Sequence, residues 1–246
     1  LTPRGIALEA VSVTKRFGDV RALDDVTLVV EPGERVALVG ESGSGKTTLL
    51  RSFNRMVDPE AGRVTVAGVD VRTTDPVQLR RSLGYVQQEG GLLPHWSVLR
   101  NTALVPRLRG AADADDRALR ALELVGLPPG DFAPRWPREL SGGQRQRVAL
   151  ARALASDPEA ILLDEPFGAL DAITRSDVQA AFATTVERLG ITVLLVTHDL
   201  HEAWRLAQRV AVMREGRVEQ VGTPAELRTA PATPYVAELL RRAGVT

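Results

Sequence analysis

Gly40-Glu41-Ser42-Gly43-Ser44-Gly45-Lys46-Thr47 decides how this chain is read. The stretch is a glycine, four residues and Gly-Lys-Thr. It lies between a short apolar run at 36–39 and the helix-like run Lys-Thr-Thr-Leu-Leu-Arg-Ser-Phe that begins at Lys46. Glycines let backbone N–H groups turn inward around a phosphate, and a helix starting near Gly45 adds the positive end of its dipole. Lys46 and Lys15 are the only lysines among 31 basic residues. A slim ammonium reaches between β- and γ-phosphates as a point charge, which a planar arginine fork does less well. Thr47 offers Mg²⁺ a hydroxyl oxygen, the kind of hard ligand it prefers. The competing reading is a glycine-rich turn that only caps a helix, and the strand–loop–helix context argues against it.

Outward from this loop the chain alternates short strands and helices. Residues 7–17 and 26–30 alternate apolar and polar side chains, as half-buried strands do. Glu31-Pro32-Gly33-Glu34 is a turn signal before the buried strand at 36–39, and the runs at 160–163 and 191–196 read as buried parallel strands. The Arg/Ala/Leu-rich stretch at about 90–155 reads as mostly helical, broken at Pro106, Pro128, Pro129, Pro134 and Pro137. The expectation is a single domain over 1–246 with a core at about 1–89 and 156–223 and a helical insertion between. A tail from about 224 carries short helical patterns at 225–228 and after Pro234.

Composition narrows the classes. A length of 246 residues with 44% hydrophobic side chains is ample for a buried core. The 31 basic and 31 acidic side chains cancel, which weighs against a wide nucleic-acid footprint. Absence of cysteine removes disulfides, thiol catalysis and zinc-thiolate sites. No apolar run approaches the roughly 18 residues that suggest a membrane span. The chain opens at Leu1 with neither Met nor a secretory pattern, so a start further upstream is expected.

Two further stretches carry chemistry. Ile161-Leu162-Leu163-Asp164-Glu165 ends a buried strand in adjacent carboxylates at the carboxyl edge of the sheet. Asp164 can hold Mg²⁺ through water there, while Glu165 can polarise a water aligned on the γ-phosphate as a general base. Leu140-Ser141-Gly142-Gly143-Gln144 begins a helix, and Ser with two Gly at a helix N-terminus makes a second anion-binding device, or an ordinary serine cap. Of the three histidines, His198 ends a strand at the active edge, whereas His95 and His201 read as surface or partner-contact residues.

In this order, the phosphate loop, the Leu-Ser-Gly-Gly-Gln run and the Asp-Glu pair resemble the ATP-binding subunits of ABC transporters over almost the whole chain. The resemblance implies an α/β phosphate-loop NTPase core with a mixed, mainly parallel sheet, an antiparallel β subdomain and a helical insertion. It implies that Gly40, Glu41, Ser42, Gly43, Ser44, Gly45, Lys46, Thr47 and Thr48 bind ATP, and that Phe17 stacks on adenine. Mg²⁺ falls to Thr47, Asp164 and Gln88, with Gln87 as the off-by-one alternative to Gln88. Glu165, His198 and Gln88 become the catalytic set. Leu140, Ser141, Gly142, Gly143 and Gln144 complete the site of a second copy in a head-to-tail dimer that sandwiches two ATP molecules, and Asp171 belongs to a loop crossing that interface. The resemblance also implies that residues 84–95 lead into an insertion contacting a transmembrane permease, that the chain sits on the cytoplasmic face of the membrane, and that a solute-binding protein is an indirect partner, with no nucleic acid.

Asn54-Arg55-Met56, the segment 75–81, Gly84-Tyr85-Val86 and Ala103-Leu104-Val105-Pro106 resemble the importer branch for quaternary amines such as glycine betaine, choline or carnitine. The chain ends at Thr246 without the regulatory domain pair that many of that branch append, so regulation through such a domain is not expected. Gly90-Gly91 departs from the bulkier first residue expected there. Another transporter class (amino acid, lipoprotein or drug efflux), a nucleic-acid-associated cassette and a plain phosphate-loop switch or kinase are the competing readings. GTP in place of ATP stays open, because Phe17 would stack on either base. Lys15 reads as a solvated lysine.

Overall fold

The computed structural model describes residues 4–88 and 90–245, so the expectations that fall on Leu1, Glu89 and Thr246 lie outside the described residues. Ten strands run through them: β1 (Leu8–Phe17), β2 (Val20–Val30), β3 (Arg35–Val39), β4 (Ala61–Val66), β5 (Val69–Asp70), β6 (Gly84–Val86), β7 (Ala160–Asp164), β8 (Thr192–Val196), β9 (Arg209–Arg214) and β10 (Arg217–Gly222). One sheet is antiparallel in the order β2-β1-β4-β5; the other runs β10-β9-β3-β8-β7-β6. In the second, β9, β3, β8, β7 and β6 are parallel and only the edge strand β10 is antiparallel.

The parallel strands are apolar throughout because both faces are covered. With a side-chain period of two, Val36 and Leu38 of β3 join Leu162, Leu194 and Val196 in a core under the antiparallel sheet and the helix Lys46–Phe53. Ala37 and Val39 point the other way, into a core built with Ile161, Leu163, Val193 and the helices of the insertion. One sheet thus separates two apolar layers.

The structure corrects several sequence expectations. β2 begins at Val20, six residues before the clean alternation does, because pairing with β1 carries the irregular segment through Asp24 and Asp25. The prolines of the insertion open helices more often than they break them. Pro106 lies in the first turn of Leu104–Leu108, Pro129 starts Pro129–Phe132, and Pro137 starts the 3₁₀ turn Pro137–Glu139. First-turn N–H groups lack intrahelical partners, so a residue without one is tolerated there. β4, β5, β9 and β10 and the long helix Ala172–Leu189 had no counterpart in the sequence reading; Gly190 ends that helix in the left-handed conformation at φ 61°.

The tail forms Pro224–Thr229, opened by a Thr223–Glu226 capping box, and Pro234–Arg242. Leu227, Val236 and Leu240 are buried in the same core as Val210 and Val212 of β9, so the tail packs on its own sheet. Leu240→Ala is therefore expected to lower the unfolding free energy by about 2–4 kcal/mol in urea titrations. Val69→Ala, at a half-exposed position, is expected to change it by no more than about 0.5 kcal/mol. Equal losses for the two variants would show that the tail is not part of the core.

Candidate nucleotide-binding site

The site is built where β3, β7 and β8 end. The chain leaves β3 through Gly40, where a Cβ would lie 2.1 Å from the Met213 carbonyl oxygen, and enters the helix at Gly45, φ 99°, where a Cβ would lie 2.3 Å from the Ala22 carbonyl oxygen. Only glycine permits that path. Lys46 opens the helix and folds back over the loop. Its Nζ donates to the carbonyls of Gly40 (2.8 Å) and Glu41 (2.7 Å) and to Ser44 Oγ (3.2 Å). Burial pushes its pKa down, opposed by the charges of Glu165 and Asp164.

A cleft of about 490 Å³ lies over this loop, walled by residues 42–48 together with Val20, Ala22, Gln88, Glu165 and His198. Thr47 Oγ1 donates to Asp164 Oδ1 at 2.8 Å, and Arg51 donates to Asp164 Oδ2 at 3.3 Å. Asp164 is 1% exposed, so both carboxylate oxygens have partners in a buried setting. Glu165 turns out of β7 at φ 49°, a left-handed conformation uncommon for a side-chain-bearing residue. Its Oε2 accepts from Gln88 Nε2 at 3.1 Å and lies 3.4 Å from His198 Nδ1. Gln87 is turned aside: its side chain fills the space where a Cβ on Gly91 would stand, and the φ of 57° at Gly91 favours glycine there.

Other candidates stand outside the cleft wall. The Glu41 N–H points away from it, towards Tyr235 Oη at 3.4 Å. Phe17 is half-exposed at the tip of β1, paired with Val20, whose side of the hairpin does reach the cleft. Lys15, read as solvated, instead lies 5.4 Å above the Phe17 ring centroid and pairs with Glu60 at 3.6 Å. Ser141 and Gln144 form a capping box at the start of the helix Gly142–Ala155, with Leu140 buried just before it. Gly142 and Gly143 make its first turn, and a Cβ on Gly143 would meet Leu170 at 2.8 Å. Asp171 caps the helix Ala172–Leu189 by accepting from the Thr174 N–H at 3.0 Å, and its pKa is lowered first by the Thr174 side chain and then by that N–H.

Sequence reasoning missed Arg51, Gln146 and the walls Val20 and Ala22. Gln146 was detectable: it interrupts the apolar stripe that continues through Ala149, Leu150 and Ala153. A larger concavity of about 620 Å³, lined by Arg117, Arg120 and Arg188 together with Asp113, Glu123 and Asp157, has no glycine loop and lies away from the strand ends that carry Asp164 and Glu165. Among the described residues no three His, Cys, Asp or Glu side chains cluster as metal ligands. That is compatible with Mg²⁺, which takes one or two protein oxygens together with phosphate and water, and the Thr47–Asp164 oxygen pair fits that demand.

The family model for ABC transporters matches residues 23–168. The chain is 43% identical to the carnitine transport ATP-binding protein OpuCA of Listeria monocytogenes, with 93% of this chain aligned, and it spans 58% of that relative's length. It is 45% identical to the sulfate/thiosulfate import ATP-binding protein CysA of Mycobacterium tuberculosis, over 95% of this chain and 66% of that one. A solved structure, the dimeric ATP-binding cassette MJ0796 bound to ADP and Pi, superposes with a TM-score of 0.81 at 35% identity, covering 88% of this chain and 98% of that one. The chain belongs to the ABC transporter family. Its fold is the α/β core of an ABC ATPase, with an antiparallel subdomain and helical insertions.

One buried acid beside the site reports on pH. Glu202, 6% exposed on the helix Leu200–Leu206, has its pKa pushed up to about 7 by burial, and nearby Asp199 adds to the shift against relief from the Thr197 hydroxyl. Raised above its ordinary 4.5, the carboxyl binds a proton more readily in the folded state than in the unfolded one. Stability on its account is greatest below about pH 4.5 and falls as pH rises towards 7. Glu202→Gln is expected to leave stability near the parent's at pH 4.5 and to raise it by on the order of 3 kcal/mol at pH 8. Urea unfolding at the two pH values checks this, and an equal difference at both would contradict it.

Proposed function

We propose that this chain is the ATP-hydrolysing subunit of a membrane importer, working as a head-to-tail pair on the cytoplasmic face of a permease. The observation that carries the reading is the meeting of a phosphate loop, the Thr47–Asp164 pair and the Glu165–Gln88–His198 group at one sheet edge. The cleft accepts the triphosphate of ATP, with the backbone N–H groups of residues 42–47 and the Lys46 ammonium against its phosphates. Phe17 offers its exposed face to the adenine ring. Mg²⁺, when bound, neutralises charge on the phosphate oxygens, and Thr47 and Asp164 are the residues that would hold it, with Gln88 beside them.

Glu165 takes a proton from water as the water oxygen bonds to the γ-phosphorus. The bond from that phosphorus to the bridging oxygen breaks, and its electron pair leaves with ADP. Gln88 orients the Glu165 carboxylate, and His198, 68% exposed at the side chain, is free to meet the γ-phosphate. Ser141 and Gly143 of a second copy close the same γ-phosphate from the opposite side, and Asp171 lies at that interface. The dimeric state named for MJ0796 supports this pairing.

For the solute, a quaternary amine is the proposal that the OpuCA likeness and the four segments named above support. The comparable likeness to a sulfate/thiosulfate importer makes solute choice a property of the partners. The zero net charge of this chain disfavours the nucleic-acid class.

Glu165→Gln keeps the shape and removes the base. It is expected to bind ATP within about twofold of the parent, to lose at least roughly 100-fold in turnover, and to accumulate as a dimer with ATP on size exclusion with light scattering. Parental turnover in this variant would refute the assignment of Glu165.

A further inference from the structure

Gln146 is 3% exposed on the helix Gly142–Ala155, one turn beyond Ser141. Its amide makes two bonds in opposite senses. Nε2 donates to the Glu165 carbonyl at 2.9 Å, and Oε1 accepts from the Ala169 N–H at 2.9 Å. Both partners lie in the segment between β7 and the helix Ala172–Leu189, the segment that begins with Glu165 and ends with Asp171. A left-handed residue with a side chain persists only where its surroundings over-determine it. Glu165 is held on one side by its N–H donating to the Val196 carbonyl at 2.9 Å and on the other by Gln146. The same helix also holds the chain just beyond Gln88, where Arg152 donates to the carbonyls of Gly90 (2.7 Å) and Gly91 (2.8 Å).

We propose that Gln146 is a positioning residue that sets the Glu165 turn and the Ala169–Asp171 segment as one unit, so that the helix whose first turn serves one ATP also aligns the carboxylate acting on the other. This rests on the two-site reading above. A buried amide with both ends bonded has a fixed orientation, since reversing it would set N–H against N–H and oxygen against oxygen. A shift of the helix start towards a nucleotide held by the second copy therefore draws on the Glu165 carbonyl of the first. Such a path links the two sites within one chain and makes their ATP use cooperative.

The test compares Gln146→Glu and Gln146→Leu with the parent, as full chains, in ATP titrations of hydrolysis and in equilibrium ATP binding. Gln146→Glu is isosteric and keeps the acceptor for Ala169 while losing the donor to Glu165; Gln146→Leu loses both. The expected result is a parent Hill coefficient of about 2 that falls to about 1 in both variants. Turnover is expected to drop by roughly 100-fold while the ATP dissociation constant stays within about twofold. Should the leucine variant not fold, the glutamate variant decides alone. Parental turnover, an unchanged Hill coefficient, a parent coefficient of about 1, or binding that weakens in step with turnover would each overturn the proposal. Dimer formation by Glu165→Gln separates the two layers. If it fails, the two-site reading falls; if it succeeds while the Gln146 variants behave as the parent, only the role of Gln146 falls.

Discussion

The 2.8 Å hydrogen bond from Thr47 to Asp164 joins the first turn after β3 to the last residue of β7, across the intervening β8. It is possible because parallel pairing sets Leu38, Val196 and Asp164 in one row. The loop holding Lys46 and the carboxylate pair then leave the sheet at the same level. A one-residue slip of β7 would turn Asp164 to the other face and exchange Ile161 and Leu163 with Leu162 between the two apolar layers. The cores on both faces therefore fix the register, and the register fixes the site.

The scarcity of lysine has a geometric counterpart. The Lys46 ammonium has three N–H donors and meets three acceptors, two carbonyls and a hydroxyl. A guanidinium directs five donors in one plane and could not match that arrangement. The cost of burying a charge is moderated by those acceptors and by Asp164 and Glu165 nearby. The other lysine has a different occupation, bridging Glu60 and the Phe17 ring, so rarity in composition marks two separate uses of a flexible ammonium.

What was legible in the sequence is what local chemistry dictates. Residues 40–47 need glycine torsions and one ammonium within a single loop, and the apolar runs of β3, β7 and β8 state that both faces are covered. The hairpin of β9 and β10 was not legible, because β10 is an edge strand with only partly buried side chains and carries little periodicity. The tail helices were visible from their prolines, but their seat on β9 depends on contacts distant in sequence. Gln88 and Gln87 are indistinguishable by spacing; in the fold Gln88 lines the cleft, whereas the side chain of Gln87 lies against Gly91.

The two serviceable helix starts show why a cap and a contact are not alternatives. In the helix Gly142–Ala155 the Ser141 hydroxyl accepts from the Gln144 N–H, and the first main-chain bond of the helix runs from the Arg145 N–H to the Ser141 carbonyl. That cap uses an oxygen lone pair, so the hydroxyl proton remains a donor, and Gly142 and Gly143 contribute N–H groups that precede the first intrahelical bond. The phosphate loop obeys the same rule, with Gly45 and Lys46 ahead of the Leu49 N–H that first bonds back to Gly45. Each device turns the unpaired end of a helix outward. The cleft itself is walled by only the second of them, so the helix start at Ser141 leaves its free N–H groups outside the cleft of its own chain, and the proposed second copy is what would give them a phosphate to meet.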